Sequence, residues 1–277
     1  MTKIVILGAS GYVGSRLKRD LTENGHTVIG SYSTNNITND LIKVDITKKD
    51  EVLNFIEKEK PDIIIHSANN HSSNWCEQNK DEAHTLNTVA TNFIVEAANT
   101  FKSKLIYIST MGAINAENFY QRTKKESEDI ILNNAKTDFL ILRPSIGFGL
   151  SPNISTENFY NSALNLFKNN KIIEADVSLK VQPTYLGHIS SIINNAINLN
   201  LWNKTIPISV STEKSKYHIL ADTFGKLGAN ITQIDLKRLP FNSVKNIDEV
   251  LTGYKLPTMN YAQFVQLCLD ELKVFTQ

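Results

Sequence analysis

Three glycines at positions 8, 11 and 14 directly follow the apolar run Ile4–Leu7 at the start of this chain. A short continuous apolar run is typical of a parallel strand that is covered on both faces. The next segment, Ser15–Asn24, repeats leucine at an interval of four and is predicted to be a helix. A strand, a glycine-rich turn and a helix in this order restrict the chain to folds that open with a strand–helix–strand crossover.

Strands and helices continue to alternate up to residue 142. Further strands are predicted at Thr27–Gly30, Leu41–Val44, Ile63–Ile65, Lys104–Ile108 and Phe139–Leu142. Further helices are predicted at Lys48–Lys60, Asp81–Asn99 and Tyr120–Asn134. The predicted fold class is therefore α/β, a doubly wound parallel sheet of the Rossmann type.

The composition is that of an ordinary globular protein, with 277 residues, 41% apolar and 21% charged. It excludes collagen-like, low-complexity and disulfide-scaffold chains. The 29 Lys and Arg residues against 28 Asp and Glu give a net charge of +1. This argues against nucleic acid as the main partner, because binding a phosphate backbone requires an excess of basic residues.

Neither cysteine, Cys76 or Cys268, has a neighbour at metal-ligand spacing, and both are predicted to be reduced thiols of a cytoplasmic protein. No apolar run approaches the ~20 residues that a membrane span needs, so no membrane partner is expected. The apolar start is also too short for a signal peptide. The six histidines show no metal-ligand spacing, and no metal site is expected.

The glycine spacing G-x-x-G-x-x-G is a variant of the dinucleotide-binding fingerprint. Gly8 allows a tight turn out of the strand, Gly11 lets the backbone approach a pyrophosphate, and Gly14 lets the helix pack closely on the strand. The helix N-terminus then offers N–H groups and a positive dipole end to the phosphates. Ser10, Tyr12 and Val13 are expected to contact the cofactor from the same turn.

The end of the second strand bears on the choice of cofactor. An acidic residue there binds the ribose 2′-hydroxyl of NAD, but the segment from Ser31 to Asn36 contains none, so we favour NADP over NAD. Ser31 is assigned to cofactor contact. Asp45 and Ile46, after the third strand, are assigned to the adenine, with a helix-capping role for Asp45 as the alternative.

Tyr120 and Lys124 form a Y-x-x-x-K pair on a predicted helix. Residues four apart share a helix face, so the phenol and the ammonium can act on one substrate. A cation about 4 Å away lowers the pKa of a tyrosine, which is ~10 in isolation, and lets it exchange protons near neutral pH. Thr110 ends the preceding strand at the sheet edge where ligands bind, and its hydroxyl is expected to bond the reacting carbonyl oxygen.

These motifs and several other segments resemble those of the extended short-chain dehydrogenases/reductases, and within them the dTDP-4-dehydrorhamnose reductase branch of sugar-nucleotide reductases. The resembling segments cover nearly the whole chain in order: Gly8–Gly14, Pro61–Asn69, Asn87, Ile108–Thr110, Tyr120–Lys124, Leu142–Ser145 and Gln182–Thr184.

The resemblance implies roles for individual residues. Thr110 and Tyr120 would bind the keto oxygen, Lys124 would hold the nicotinamide ribose, and Asn87 would anchor a helix kink and a water relay. Contacts to the cofactor are further implied for Ser67, Ala68, Asn69, Pro144 and Ser145. The substrate residues are predicted to be Asn70, His71, Trp75, Thr110, Met111, Tyr120 and Arg143.

Beyond Gly149 the pattern loosens. The predicted helices are Phe159–Lys168, Ile189–Leu199, Ser215–Leu227 and Tyr261–Lys273, and the predicted strands are Lys171–Ile173, Gln182–Tyr185 and Ile206–Val210. We expect a dinucleotide-binding domain at 1–149 and a smaller substrate-binding region at 150–277, with interleaved segments, packed on the carboxyl edge of the sheet.

Two departures from the family pattern concern the substrate. The reductases commonly carry Asp after the threonine, where this chain has Met111, and the segment Met111–Phe119 before the tyrosine is shorter than in relatives. A short segment leaves the sugar pocket open or reshaped, while the fold that binds the cofactor is unaffected.

The predicted function is reduction of a nucleotide-linked 4-keto-6-deoxysugar by NAD(P)H. One alternative is a nucleotide-sugar epimerase or dehydratase, although dehydratases usually need an acid–base pair beside the threonine. The other is a regulatory subunit that binds NAD(P) without catalysis, against which the intact Tyr120 and Lys124 argue. The oligomeric state stays open, with a homodimer as one candidate.

Overall fold

The structure is a computed structural model that describes residues 1–156, 158–238 and 243–275. Its strands, in chain order, are β1 (Lys3–Leu7), β2 (Thr27–Tyr32), β3 (Ile42–Lys43), β4 (Ile63–His66), β5 (Lys104–Ile108), β6 (Phe139–Pro144), β7 (Gly147–Phe148), β8 (Ile173–Asp176), β9 (Lys180–Val181), β10 (Thr184–Tyr185), β11 (Lys204–Ile208), β12 (Lys214–Ser215) and β13 (Ile231–Ile234). Its α-helices are α1 (Tyr12–Glu23), α2 (Lys49–Glu59), α3 (Ser73–Gln78), α4 (Lys80–His84), α5 (Ala90–Phe101), α6 (Phe119–Asn134), α7 (Phe159–Lys168), α8 (Leu186–Asn198), α9 (Lys216–Asp222), α10 (Ile247–Gly253) and α11 (Tyr261–Leu272). A π-helical turn spans Thr85–Val89, and 3₁₀ turns span Met111–Ile114, Gly225–Leu227 and Lys273–Phe275.

Seven strands form one parallel sheet in the order β11-β6-β5-β4-β1-β2-β3. The order reverses direction between β1 and β4, so the chain winds outward in both directions from β1. This is the predicted doubly wound Rossmann-type fold, which is confirmed. Ligands in such sheets bind outside the carboxyl ends of the strands at this reversal.

Alternate residues of the central strands feed two separate cores, one on each face of the sheet. Ile4 and Ile6 of β1 pack with α1, α8 and α10, whereas Val5 and Leu7 pack with α2 and α5. The continuous apolar run at the N-terminus therefore has a physical reason, because both faces of β1 are covered.

A third core lies beyond the sheet. Phe148 is its centre and meets Phe159, Tyr160 and Phe264 edge to face, with ring centroids 6.0, 6.2 and 5.6 Å away. Helices α7, α9 and α11 and the paired strands β8 and β13 surround this cluster. They form a smaller layer on the carboxyl side of the sheet.

Several predicted elements differ in the structure. The helix expected at Ser215–Leu227 is α9, which ends at Asp222 and is followed by a separate 3₁₀ turn, and the strand expected at Lys171–Ile173 is β8, which begins at Ile173. The single helix expected at Asp81–Asn99 is divided into α4, the π-helical turn and α5, because Asn87 in the turn is held by a neighbouring loop. The strand expected at Ile206–Val210 is β11, which begins two residues earlier and joins the main sheet beside β6.

The predicted boundary at residue 149 stays a prediction. Segments on the two sides of this boundary pack together, since α8, β11 and α10 follow residue 149 and yet pack with the main sheet. Both cysteines are buried and free. Within residues 1–156, 158–238 and 243–275, every helix is too short or too polar to cross a bilayer.

Candidate active site

A cavity of about 600 Å³ opens at the carboxyl ends of β1, β4, β5 and β6. The glycine turn contributes to its lining, as do residues from α7, α9 and the end of the 231–238 segment. The cavity thus lies between the main sheet and the smaller layer.

The three glycines of the turn, Gly8, Gly11 and Gly14, have different structural roles. Gly8 has φ +86°, and a Cβ there would lie 2.7 Å from the backbone of Ala68. A Cβ at Gly14 would lie 2.1 Å from the carbonyl oxygen of Gly8, so only glycine lets α1 approach the strand. A Cβ at Gly11 would meet only that same oxygen, at 3.3 Å, and would otherwise enter open space in the cavity wall.

The start of α1 fits a phosphate-bearing ligand. Gly11 is the N-cap and has no side chain to cap the helix, and Tyr12, Val13 and Gly14 line the cavity. N–H groups at a helix N-terminus bind anions readily. The carbonyl oxygen of Ser10 accepts a 2.5 Å hydrogen bond from Asn153 Nδ2, and this bond stabilises the turn.

At the end of β2, Ser31 is buried and its Oγ accepts from the Gly8 N–H at 3.4 Å. It supports the glycine turn from below and leaves Tyr32, half-buried, as the first accessible residue. Arg16, a cation of the neighbouring helix α1, is buried and pairs with Asp20 at 2.7 Å and Glu271 at 2.6 Å. Its guanidinium is therefore held in ion pairs within the protein.

Asp45 and Ile46 lie outside the cavity lining. The Asp45 carboxylate accepts from the N–H and hydroxyl of Thr47, at 3.0 and 2.7 Å, while Ile46 is buried in the core. The N-cap of α2 is Lys48, so neither Asp45 nor Thr47 caps that helix. Contact of these two residues with an adenine stays a prediction.

The loop after β4 divides between lining and support. Ser67, Asn69 and His71 line the cavity, whereas Ala68 packs on Gly8. Asn70 exchanges two hydrogen bonds with the buried side chain of Asn87, at 2.9 and 3.1 Å, which ties this loop to the π-helical turn. Asn87 therefore anchors a helix kink, and its contact with a cofactor stays a prediction.

Two aromatic side chains of this region, His66 and Trp75, lie outside the cavity lining. His66 is buried against Tyr107 and shares a 3.2 Å hydrogen bond with Thr91. Burial holds the pKa of His66 well below its usual value, so the ring is neutral. Trp75 is half-buried on α3 and lies outside the cavity lining, so its predicted contact with substrate stays untested.

Thr110 and Tyr120 both line the cavity. The Thr110 hydroxyl oxygen accepts from the Gly112 N–H at 3.2 Å, which leaves its proton for a ligand. Asn118 and Gln121 form a capping box that starts α6 directly before Tyr120. The short segment between the two residues therefore still brings both hydroxyls to one cavity.

Lys124 lies beneath this pair, buried, and its Nζ donates to the carbonyl oxygen of Ile108 at 2.8 Å. The Nζ is also 4.1 Å from the ring centroid of Tyr107. Burial lowers the pKa of Lys124 to about 7, against an opposing contribution from Glu128.

The expected lowering of the Tyr120 pKa is wrong for the ligand-free protein. Burial is the larger cause that raises the pKa of this phenol, and the nearby Cys76 is the smaller one. Because the Lys124 ammonium is bound to Ile108, it does not offset this rise. Tyr120 is thus protonated and neutral in the ligand-free protein.

The end of β6 supplies Pro144 and Ser145 to the lining, and Thr184 Oγ1 accepts from the Ser145 N–H at 2.9 Å. Arg143 instead forms an ion pair with the fully buried Glu128, at 2.9 and 2.5 Å. Its guanidinium therefore balances a buried carboxylate, and the predicted contact of Arg143 with substrate stays a prediction. Met111 is likewise 1% exposed and belongs to the core beneath the cavity.

The cavity also contains residues that sequence analysis missed. Lys216 and Arg238 line it together with Phe159, and the Lys216 Nζ is 4.4 Å from the Phe159 ring centroid. Among the described lining residues there is no carboxylate. Nor do the described residues contain a group of three or more His, Cys, Asp or Glu side chains placed to hold a metal ion. The cavity lining therefore combines the N-terminus of α1 with two cationic side chains.

Known proteins resemble this chain in sequence. The family model described as the RmlD substrate binding domain matches residues 1–235. A dTDP-4-dehydrorhamnose reductase of Aggregatibacter actinomycetemcomitans is 28% identical over 207 residues, which are 70% of this chain and 66% of that relative. For the next two curated relatives the matched share of their length is 53% and 44%.

Solved structures share the fold. A dTDP-4-dehydrorhamnose reductase from Bacillus anthracis in complex with NADP superposes with a TM-score of 0.81 at 19% identity, covering 99% of both chains. A UDP-glucose 4-epimerase from Thermotoga maritima superposes with a TM-score of 0.80 at 14% identity, covering 99% of this chain and 100% of the other. The two scores show that the fold is common to reductases and epimerases. Because the family model extends over most of its length, the chain belongs to the RmlD substrate binding domain family.

Proposed function

We propose that this protein is an NAD(P)H-dependent reductase of a nucleotide-linked 4-keto-6-deoxysugar. The observation that carries the proposal is the convergence of Thr110 and Tyr120 on one cavity whose lining includes the start of α1, Lys216 and Arg238 and no carboxylate among the described residues. The family and the reductase names of its relatives support the same reaction class. The NADP bound to the Bacillus anthracis reductase supports the cofactor class.

When bound, the reduced nicotinamide supplies a hydride to the carbonyl carbon. The open start of α1 at Gly11 would hold the pyrophosphate of that cofactor, and Lys124 would hold its nicotinamide ribose. Tyr120 donates its proton to the carbonyl oxygen as that oxygen gains charge. Thr110 donates a hydrogen bond to the same oxygen, which stabilises the developing alkoxide.

The two cationic side chains in the lining, Lys216 and Arg238, indicate the substrate class. Lys216 is half-buried, and burial is the main cause that lowers its pKa, with the neighbouring Arg238 as the second. The Arg238 Nε lies 3.7 Å from Asp176 Oδ2, which orients the guanidinium without placing a carboxylate in the lining. Two cations in the cavity lining suit the diphosphate of a nucleotide sugar.

Steady-state kinetics test this assignment. NADPH oxidation is expected with a nucleotide-linked 4-keto-6-deoxysugar and not with the free sugar. Lys216→Met is expected to raise KM for the nucleotide sugar about 10- to 100-fold with little change in kcat, as for one lost charge-assisted hydrogen bond. Lys214→Met, two residues earlier and outside the lining, is the matched control. Equal KM values in the two variants would contradict the diphosphate site.

An epimerase is the second candidate, because the Thermotoga maritima epimerase superposes almost as well as the reductase. An epimerase regenerates its own cofactor and consumes no NADPH. Stoichiometric NADPH oxidation supports the reductase, whereas sugar interconversion without net oxidation supports the epimerase.

A further inference from the structure

A buried carboxylate lies on the same helix as Tyr120 and Lys124. Glu128 is 0% exposed and lies one helical turn after Lys124 on α6. The mechanism above makes no use of it. A fully buried carboxylate is costly unless it is paired and hydrogen-bonded, so its partners indicate what it does.

The Glu128 carboxylate connects three elements of the fold. Its Oε1 accepts from the Ser109 hydroxyl at 2.5 Å and from Arg143 Nε at 2.9 Å, and its Oε2 accepts from Arg143 Nη2 at 2.5 Å. Ser109 follows the last residue of β5, and Arg143 belongs to β6. The carboxylate therefore fixes α6 to the carboxyl ends of both strands.

The end of β5 is held at two successive residues. Lys124 binds the carbonyl oxygen of Ile108, and Glu128 binds the hydroxyl of Ser109. Thr110 is the next residue and lines the cavity. The two anchors from α6 thus set the position of Thr110 relative to Tyr120, which lies on the same helix.

We propose that Glu128 is a positioning residue that anchors the end of β5 through Ser109 and supplies the negative charge that keeps the buried Lys124 ammonium protonated. The inference rests on the proposed function for its effect on turnover, but the charge state of Lys124 is measurable without any substrate.

The other titratable groups around Lys124 that are described below are neutral or cationic, so they do not supply the negative charge. From β4, His66 faces Lys124 as a neutral ring. From β5 the neighbour is Tyr107, whose pKa is held well above the usual value, mainly by burial, so it is neutral too. From α6 itself Tyr120 is neutral for the same main reason.

Two further groups complete these surroundings. Cys76, on α3, is a neighbour of Tyr120, and burial raises the pKa of its thiol. Arg143, on β6, is cationic and is paired with Glu128. Glu128 is thus the anion among these neighbours.

The direct test is the titration of Lys124 by NMR in ¹³C-lysine-labelled protein without ligand, with its signal assigned by its loss in Lys124→Met. Glu128→Gln is expected to move the midpoint to lower pH by about one unit or more, as for the loss of a unit charge one helical turn away. Glu126→Gln, an exposed carboxylate on the same helix, is the matched control and is expected to leave the midpoint unchanged.

Arg143→Met gives a second and opposite test. It removes the cation that neutralises Glu128 and is expected to move the Lys124 midpoint to higher pH, so the inference stays testable if Glu128→Gln fails to fold. A Lys124 midpoint that moves in neither variant, or that moves in the same direction in both, would overturn the proposal. Turnover is a separate readout: if no sugar nucleotide is reduced, the proposed function fails while this titration still decides the role of Glu128.

Discussion

The Lys124 Nζ donates a 2.8 Å hydrogen bond to the carbonyl oxygen of Ile108, the last residue of β5. This bond places the ammonium beneath the cavity that Tyr120 and Thr110 line, and it removes the charge from water. The site is therefore assembled around a buried lysine, and its behaviour with pH follows from that burial.

The first prediction concerns pH and stability. Burial lowers the pKa of Lys124 to about 7 in the folded protein, whereas the unfolded chain has the usual value of about 10.4. Between these values the unfolded state holds more protons, so this residue makes the free energy of unfolding rise with pH. Urea unfolding from pH 6 to 9 should show that rise in wild type, relative to Lys124→Met. A difference between the two proteins that is constant over this range would contradict the prediction.

The second prediction concerns the proton donor. Tyr120→Phe should lower turnover by a factor on the order of 10² to 10⁴, the usual contribution of a positioned general acid, while NADPH binding survives. Thr110→Val should cost less, because it removes one hydrogen bond and no proton. Lys124→Ala should weaken both NADPH binding and turnover. Stopped-flow turnover and calorimetric NADPH titration separate these effects, and full activity of Tyr120→Phe would place the acid elsewhere.

The third prediction separates two glycines of the same turn. Gly11→Val should fold but lose NADPH binding, because its side chain enters the space that the pyrophosphate needs. Gly14→Val should instead fail to fold stably, because its Cβ would lie 2.1 Å from the Gly8 carbonyl oxygen. Thermal unfolding and calorimetry check both, and unchanged NADPH affinity in Gly11→Val would refute the assignment of this turn.

The fourth prediction concerns the cofactor. The absence of an acid from Ser31 to Asn36 predicts at least a several-fold preference for NADPH over NADH in kcat/KM. Tyr32→Asp should move the preference toward NADH by repelling the 2′-phosphate. Tyr32 is a better position than Ser31 for this substitution, because Ser31 is buried beneath the Gly8 turn, where a charge would disturb folding. A wild-type preference for NADH would contradict the prediction.

The fold was predictable because its signals are local. Apolar runs such as Ile4–Leu7 and Lys104–Ile108 became buried parallel strands, and the glycine turn lies between β1 and α1 as its spacing requires. The position of Thr110 and Tyr120 in one cavity was predictable for a related reason, since Thr110 lies two residues after β5 and Tyr120 lies in the first turn of the next long helix.

The remaining features depend on contacts between distant segments. Arg143 was assigned to substrate through the resemblance that includes Leu142–Ser145, whereas its pairing with Glu128, which lies on a helix, leaves no local pattern in the sequence. Lys216 and Arg238 lie about a hundred residues beyond the Y-x-x-x-K pair, in segments without a motif. Only the packing of the smaller layer brings them to the cavity.

Transfer of deuterium tests the central claim most directly. The protein is incubated with a nucleotide-linked 4-keto-6-deoxysugar and NADPH deuterated at both positions of nicotinamide C4, and the product is examined by NMR and mass spectrometry. The account predicts one deuterium on sugar C4 for each NADPH oxidised, and a rate lower by a factor on the order of 10² to 10⁴ in Tyr120→Phe. A sugar that carries no deuterium, across dTDP-, UDP- and GDP-linked substrates, would contradict it.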